Sequence, residues 1–575
     1  MNNERPEVVI AHLRRVIRPA FLPRAVARLL PAVLFLAITG RPIAAQSVGG
    51  RSEIFAGSEL ESYLRYLQTE EDSASHPWSI RGFSAPEIDA LVPSTANHPW
   101  AARYALDRRT HEGFEWDYVR PSWVGTINTT YPFGGNDGAT WTGKGLTSTI
   151  QLGVSARWGP VSAVLAPVAF RAENQSFVIL RNGLSGRLRF ADGQFPRFID
   201  RPQRYGTLPY SRIDFGESTL RLDLAGVAAG ISTASQWWGP TDKYPYILGN
   251  NAGGFPHAYL GTSKPANIGI GRLHTRVVYG QLYQSAYSPV SGSSSFIDFT
   301  ETGTTRFMAG LIGTFQPRGM RGLEIGGARF FHAASDNNGV SSHNIGLPFQ
   351  NIFKSRLAKE SEVPIQGDDR ALRENQLGSL FLRWAPPGSG FEVFGEYGRE
   401  DHSADLRDLL LEPDHAAATN VGVRRVWLRG RTMTALRAEV FSYESPSGSR
   451  TRGEGQMYLH GVLSQGHTYR GQMLGADVGP GSGGAQSLAV ERFTPGGRMT
   501  AFFTRAVARE AVRAYKSGPA FENAVDVMNS IGLEALRFIG PVDALGRVVL
   551  TSELNRNLAG DRVNATFVLG LRSDF

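Results

Sequence analysis

Across 575 residues the chain carries 60 Lys and Arg against 52 Asp and Glu, a formal charge of +8, and no cysteine. The missing cysteine excludes disulfides, thiol catalysis, thiolate metal sites and a lipid anchor on an amino-terminal Cys. Seven Arg and two Glu fall in residues 1–45, so the rest holds 53 basic against 50 acidic residues spread along its length. A nucleic-acid partner would need its basic residues clustered on one surface.

Arg14, Arg15, Arg18, Arg24 and Arg28 precede an apolar run from Leu29 to Thr39, and Ile43-Ala44-Ala45 offers a small-residue cleavage site before Gln46. Residues 1–45 therefore read as a secretory signal with a long basic lead, and a start codon further downstream stays open. The run is too short to span a bilayer as a helix, and no later stretch offers the roughly 20 apolar residues that a helix would need. A membrane-resident mature chain must cross with strands.

Residues 46–115 are helix-like and form the predicted periplasmic segment. Leu60, Tyr63, Leu64 and Leu67 share one helical face, and a second helix is expected near Ser84 to Leu91, with Ser84 as N-cap and Glu87 closing a capping box. His-Pro-Trp occurs at His76 to Trp78 and again at His98 to Trp100, the spacing of two stiff turns that each bury an indole.

From Trp116 to Phe575 the period changes to two. Leu220, Leu222 and Leu224 alternate with Arg221 and Asp223; Leu380, Leu382 and Trp384 alternate with Phe381 and Arg383; Leu436, Ala438 and Val440 alternate with Arg437 and Glu439. About eighteen such segments are separated alternately by tight turns, such as Gly159-Pro160 and Gly430-Arg431, and by long polar connections: Glu173 to Tyr210, Ala334 to Glu374 and Gly471 to Gly497. That asymmetry predicts an all-β fold, a transmembrane antiparallel up-and-down β-barrel of about 18 strands in the outer membrane. Gly-rich strands such as Ala309 to Gly313 suit a curved wall. Trp123, Tyr131, Trp158, Trp384, Tyr397, Trp427 and Tyr443 sit near strand ends, where interfacial girdles are expected.

Two stretches stand out. One is Ser235-Gln236-Trp237-Trp238-Gly239-Pro240 with the following Gly249-Asn250-Asn251-Ala252-Gly253-Gly254; the other is Gly466-His467-Thr468-Tyr469-Arg470-Gly471 continuing to Glu491-Arg492-Phe493-Thr494-Pro495. They resemble the capsule assembly proteins of the Wzi type, outer-membrane barrels linked to surface polysaccharide, and the resemblance extends over Gln46 to Phe575. It implies a barrel of about eighteen strands with a small periplasmic helical bundle, a role in holding capsular or exopolysaccharide at the cell surface, and no catalytic residues. On their own chemistry, Trp237 and Trp238 offer aromatic faces to sugar rings, and Asn250 and Asn251 offer paired donors and acceptors to hydroxyls. The alternative is that this loop folds inward and packs the lumen. An open lumen would instead make the chain a diffusion channel for small solutes.

Carboxylates and imidazoles stand together at Asp401-His402 and Asp414-His415, with a further pair at Asp368-Asp369, but no nucleophile elbow, zinc motif or phosphate loop accompanies them. Neither catalytic residues nor a metal or cofactor is expected. Asp336-Asn337-Asn338-Gly339 lacks the spacing of an EF-hand. Arg side chains facing the lumen could meet anionic sugars or lipopolysaccharide phosphates, or pair with Glu and Asp of neighbouring strands.

The chain ends on Val563 to Phe575, where Val563, Ala565, Phe567, Leu569 and Leu571 alternate with Asn564, Thr566, Gly570 and Arg572. Phe567, Leu569, Leu571 and the terminal Phe575 form the expected signal for the barrel-assembly machinery, and the apolar face is expected to contact membrane lipid.

Overall fold

In this computed structural model the described residues are 46–47, 52–70, 76–91, 97–105, 113–288, 305–334, 342–352, 374–400, 405–443, 457–460, 463–510 and 525–573. The signal-like segment 1–45, Asp336 to Gly339, Asp368-Asp369, Asp401-His402 and Phe575 lie outside them.

Eighteen antiparallel strands close a barrel. In chain order they are β1 Phe114–Asn128, β2 Gly145–Trp158, β3 in two pieces (Val161–Leu165 and Val168–Ala172), β4 in two pieces (Tyr210–Asp214 and Thr219–Leu224), β5 Val227–Ser232 and β6 His257–Thr262. There follow β7 Gly271–Tyr283, β8 Thr305–Pro317, β9 Leu323–Ala334, β10 Glu374–Trp384, β11 Phe391–Glu400 and β12 Ala417–Arg429. The circle is completed by β13 Thr432–Ser442, β14 Gly484–Thr494, β15 Gly497–Glu510, β16 Val525–Ile539, β17 Val542–Arg556 and β18 Gly560–Ser573. Closure is direct: Thr566 of β18 stands opposite Asn128 of β1, and the ladder runs to Arg572 opposite Ser122. The circle closes through every strand, with only the Tyr210–Asp214 piece of β4 paired on one side among the described residues.

The alternation is inside out relative to a water-soluble sandwich. On β18 Val563, Phe567 and Leu569 are 65%, 46% and 50% exposed, while Asn564 and Thr566 are 0% and 4%. Leu220, Leu222 and Leu224 likewise face outward while Arg221 is buried, and Leu380 and Leu382 face outward while Arg383 is buried. Aliphatic side chains outside and charge inside is the arrangement of a wall bathed in hydrocarbon. Phe114, Trp116, Tyr118, Trp158, Trp384 and Trp427 cluster exposed at or toward the tight-turn end as a girdle. Tyr131 and Tyr443 do not join one: both are buried inward, Tyr131 beneath Arg556 and Tyr443 bonded to Gly479 O.

One expected connection is corrected. The stretch Gly471 to Gly497 is not a single loop, because β14 occupies Gly484–Thr494 and the true connection is residues 443–483. Its outward face carries Gln486 and Arg492 beside Leu488 and Val490, so the apolar alternation is only two residues long.

The lumen is filled from both ends. Helix α1 (Glu59–Glu70) presents Leu60, Tyr63, Leu64 and Leu67 to a core shared with Val426, Met433, Phe493 and Leu536 of the wall, so the amino-terminal segment plugs the tight-turn end. Helix α2 (Ala85–Leu91) starts with the carboxylate half of the expected box: Glu87 Oε2 accepts the Ser84 backbone N–H at 2.9 Å, and the Ser84 hydroxyl donates to the same oxygen at 2.7 Å. The two His-Pro-Trp turns bury Trp78 and Trp100 completely, and Trp100 stacks on Tyr63 at 4.2 Å.

Candidate functional site

The Trp-Trp stretch lies in residues 233–256, which leave the wall after β5 and return at β6. They are drawn across the lumen by backbone pairing with the plug, Trp237 opposite Arg81 and Trp238 opposite Ile80. Gly239 then turns the chain with φ +94°, a value that a side chain resists, and donates its N–H to Ser79 O at 2.8 Å. Trp237 and Trp238 are 2% and 1% exposed. Arg81 covers one indole at 4.0 Å, Phe330 edges the other, and their N–H groups donate to Thr241 and Gln236. In this geometry the indole faces are occupied, and the pair fixes the loop.

The turn beyond them is held by charge. Asp242 pairs with Arg424 and, at 2.9 Å, with Arg437, while Glu439 accepts the N–H groups of Lys243 (2.7 Å) and Tyr244 (3.2 Å). Burial would raise the Asp242 carboxyl, but Arg424, Arg437 and Arg65 outweigh it and hold the group well below its ordinary range. Burial, helped by Arg437 and Arg547, pushes the neighbouring Lys243 ammonium down to about 8.

The second stretch closes on the first. Gly249 N–H donates to Leu474 O (3.0 Å), Asn251 Nδ2 to Gly475 O (2.7 Å) and Gln472 Nε2 to Asn251 O (3.2 Å), while His467 Nε2 meets Ile247 O at 2.6 Å. Arg306 of β8 clamps it from the wall, donating to Gly466 O and Thr468 O at 2.5 Å each. Two stretches more than two hundred residues apart thus form one plug.

A third participant escapes the sequence reading. Residues 133–142 between β1 and β2 fold inward, so that Gly138 N–H donates to Asn250 O (2.7 Å) and Asn136 N–H to Asn251 Oδ1 (2.8 Å). The run Gly134-Gly135-Asn136-Asp137-Gly138 signals a turn but carries no mark of where that turn goes. These segments and the wall enclose a cavity of about 590 Å³, lined by Asn250, Asn251, Asp137 and Lys243 and by wall hydroxyls such as Ser530 and Thr566. Asn250 Oδ1 is buried without a partner, so a free acceptor is in place. A second cavity of about 330 Å³ shares Phe55, Ser58, Ser122 and Gln151 with it and continues to Arg572 near the tight-turn end. Asp414-His415, by contrast, lies in the connection between β11 and β12, away from this cavity.

Residues 132–534 match the family of the capsule assembly protein Wzi. The chain belongs to the Wzi capsule assembly family. The solved structure of Escherichia coli Wzi, described as an outer-membrane protein involved in group 1 capsule assembly and a carbohydrate-binding β-barrel, superposes with a TM-score of 0.58 at 13% identity, covering 91% of this chain and 99% of that one. OccAB2 of Acinetobacter baumannii (10% identity, 79% and 98% coverage) and OccK7 of Pseudomonas aeruginosa (10%, 80% and 99%) each reach a TM-score of 0.37. No curated protein matches the chain by sequence. Of the motif stretches that carry the Wzi-family resemblance, Ser235 to Gly254 and the start of the second build the lumenal plug, while Glu491 to Thr494 lie in wall strand β14.

Proposed function

We propose that this Wzi-family barrel retains capsular or exopolysaccharide at the cell surface, binding it without chemistry at its loop end. The observation that carries this reading is the cavity beside Asn250 and Asn251: its volume falls within the few hundred to 1,000 Å³ of small-molecule sites. Its lining combines hydroxyl, amide and charged groups, which meet sugar hydroxyls, with apolar side chains such as Phe502, Leu545 and Val549. In this role Asn250 faces the saccharide, Asn251 holds the turn beside it through Gly475 O and the Asn136 N–H, and Trp237 and Trp238 set the loop that presents them. Arg171, Arg181, Arg189 and Arg197 are exposed on or beside the β3–β4 connection and add positive charge to the same end. Residues 1–45 serve as the cleaved signal, and the segment up to residue 115 faces the periplasm from within the tight-turn end. Phe567, Leu569, Leu571 and Phe575 address the barrel-assembly machinery, and the outer face meets lipid and lipopolysaccharide.

Deleting the gene and staining for cell-associated capsule tests the reading: loss of retained polysaccharide, restored by the intact gene, is expected, and unchanged retention overturns it. A diffusion channel is the second reading, favoured by the shared lining of the two cavities along β1, β2, β17 and β18. Planar-bilayer conductance separates the two.

A further inference from the structure

On one side the wall loses its full height. β5 and β6 have six residues each, short of the roughly 9–11 that a tilted strand needs to cross the hydrocarbon. The cause is the inward course of residues 233–256. Neighbouring strands break nearby, β3 at Ala166-Pro167 and β4 between Asp214 and Thr219. The upper piece of β4 pairs with β3, and no strand flanks its other side among the described residues. Backbone groups freed there are satisfied within the chain: Thr233 N–H donates to Ser218 O (2.8 Å) and Gln281 N–H to Pro256 O (3.0 Å).

What remains outside is a furrow of about 730 Å³, lined by Leu165, Phe215, Leu220, Ile231, Ala258 and Tyr279. Its few hydroxyls are engaged. Ser218 Oγ donates to Phe215 O, Thr219 and Ser232 share a hydrogen bond, and Thr233 Oγ1 donates to Gly216 O.

A ridge stands at its far end. Residues 342–352 of the β9–β10 connection fold down over the outer face of β7, β8 and β9. There Leu347 is buried with Phe307 and Phe331, Tyr279 Oη donates to Ile345 O at 2.8 Å, and Arg329 Nη1 donates to Gln350 O at 2.6 Å. Ile345, Phe349 and Ile352 on that ridge stay 51%, 65% and 61% exposed. A polar loop that turns back onto the lipid-facing wall with its apolar side chains outward marks a boundary facing hydrocarbon rather than water.

We propose that furrow and ridge form a docking groove for the acyl chain of a lipid in the leaflet at the loop end. The groove is continuous with the apolar belt that already meets the membrane, and it offers a sugar no free hydroxyl among those named. The occupant must therefore be apolar, and in the membrane the available apolar partner is an acyl chain. This inference does not rest on the polysaccharide reading.

The test is native mass spectrometry of the full chain released from detergent with dioleoylphosphatidylglycerol added as the probe. The expected result is a monomer carrying bound lipid. Ala258→Trp and Ile231→Trp, which fill the groove from its exposed floor, lower the bound fraction roughly tenfold, equivalent to excluding about two methylenes of chain. Leu382→Trp, on the outer face away from the groove, leaves it unchanged. Heat-modifiable gel mobility verifies that each variant has folded, and two independent filling variants guard against loss of either one. Equal lipid retention in all variants, a lipid-free monomer, or a lipid-free dimer sealing the groove with a second copy would each overturn the proposal.

Discussion

Asn250 and Asn251 are the same residue type side by side, yet their surroundings assign them different work. Asn251 is spent at both ends of its amide, on Gly475 O and the Asn136 N–H, whereas Asn250 Oδ1 has no partner. Asn251→Ala should therefore loosen the plug by about 1–3 kcal/mol, since it strands buried partners. Asn250→Ala should leave thermal stability within about 0.5 kcal/mol and weaken polysaccharide capture. Melting curves together with pull-down on purified capsular polysaccharide read the two effects apart; equal loss of stability in both variants would refute the division. Glycine is informative on the same scale at Gly310, inside a run of β8. A Cβ there would stand 2.5 Å from Trp238 Cη2, so this strand glycine makes room for an indole of the plug. Gly310→Val should cost about 1–3 kcal/mol by overpacking, measurable as an earlier loss of heat-resistant gel mobility.

At the scale of elements, those with a repeating local cause were legible. The apolar face of α1, the Ser84-Glu87 box of α2 and most wall strands follow from periodicity and capping alone. β14 was hidden because Gln486 and Arg492 interrupt its outward face. The inward course of residues 133–142 was hidden because turn chemistry fixes a bend and not its destination. The site was half legible: both motif stretches were visible, but burial of the indoles depends on pairing with Arg81 and Ile80, a contact between elements. That docking has a testable anchor. Arg65 of α1 donates to Glu392 of β11 at 2.6 Å and to Pro240 O at 2.5 Å. Arg65→Ala removes one partner of a buried pair, for which about 3–5 kcal/mol is usual. The low end is expected because Arg383 still meets Glu392 at 2.7 Å. New protease cuts within residues 52–105, with the barrel intact, are the expected signature. The loop-end half of the plug responds to pH instead. His467 is fully buried, stacked on Tyr458 and faced by Arg306 and His332, and burial pushes it down to about 3. The unfolded imidazole binds its proton near pH 6.5, so this contribution is complete above that value and drains away as pH falls from about 6.5 toward 3. At pH 4.5 about 3 kcal/mol is gone. Proteolysis of residues 457–478 should therefore rise between pH 7 and 4.5, and His467→Gln should flatten the difference.

On the scale of the whole molecule, the barrel and its filling answer to different physics. Hydrocarbon outside demands a closed ladder, and that demand is met by the register from β1 through β18 and back. Inside, a wall of eighteen strands is too wide for its own side chains to meet, so the plug fills it, packing apolar clusters against the wall and adding buried ion pairs. Arg65, Arg81 and Arg103 of the amino-terminal segment each find a buried carboxylate, in Glu392, Glu61 and Asp543. Anchoring is uneven around the circle: large lumenal side chains such as Arg383, Phe394 and Arg424 grip the plug on β10 to β12, whereas Ser122, Thr126, Ser530 and Thr566 on the opposite side leave the two cavities. The intact protein should consequently pass little steady current in a planar bilayer, because the plug crosses the lumen and only the narrow lateral crevice remains. Removing residues 52–105 should raise the current severalfold, since the tight-turn end loses its cover while the inward loops stay clamped by Arg306 and Arg424. A large current through the intact chain would instead favour the diffusion-channel reading. An unchanged one after the deletion would mean that the loop-end segments seal the lumen by themselves, and that the amino-terminal helices serve the assembly of the barrel rather than its closure.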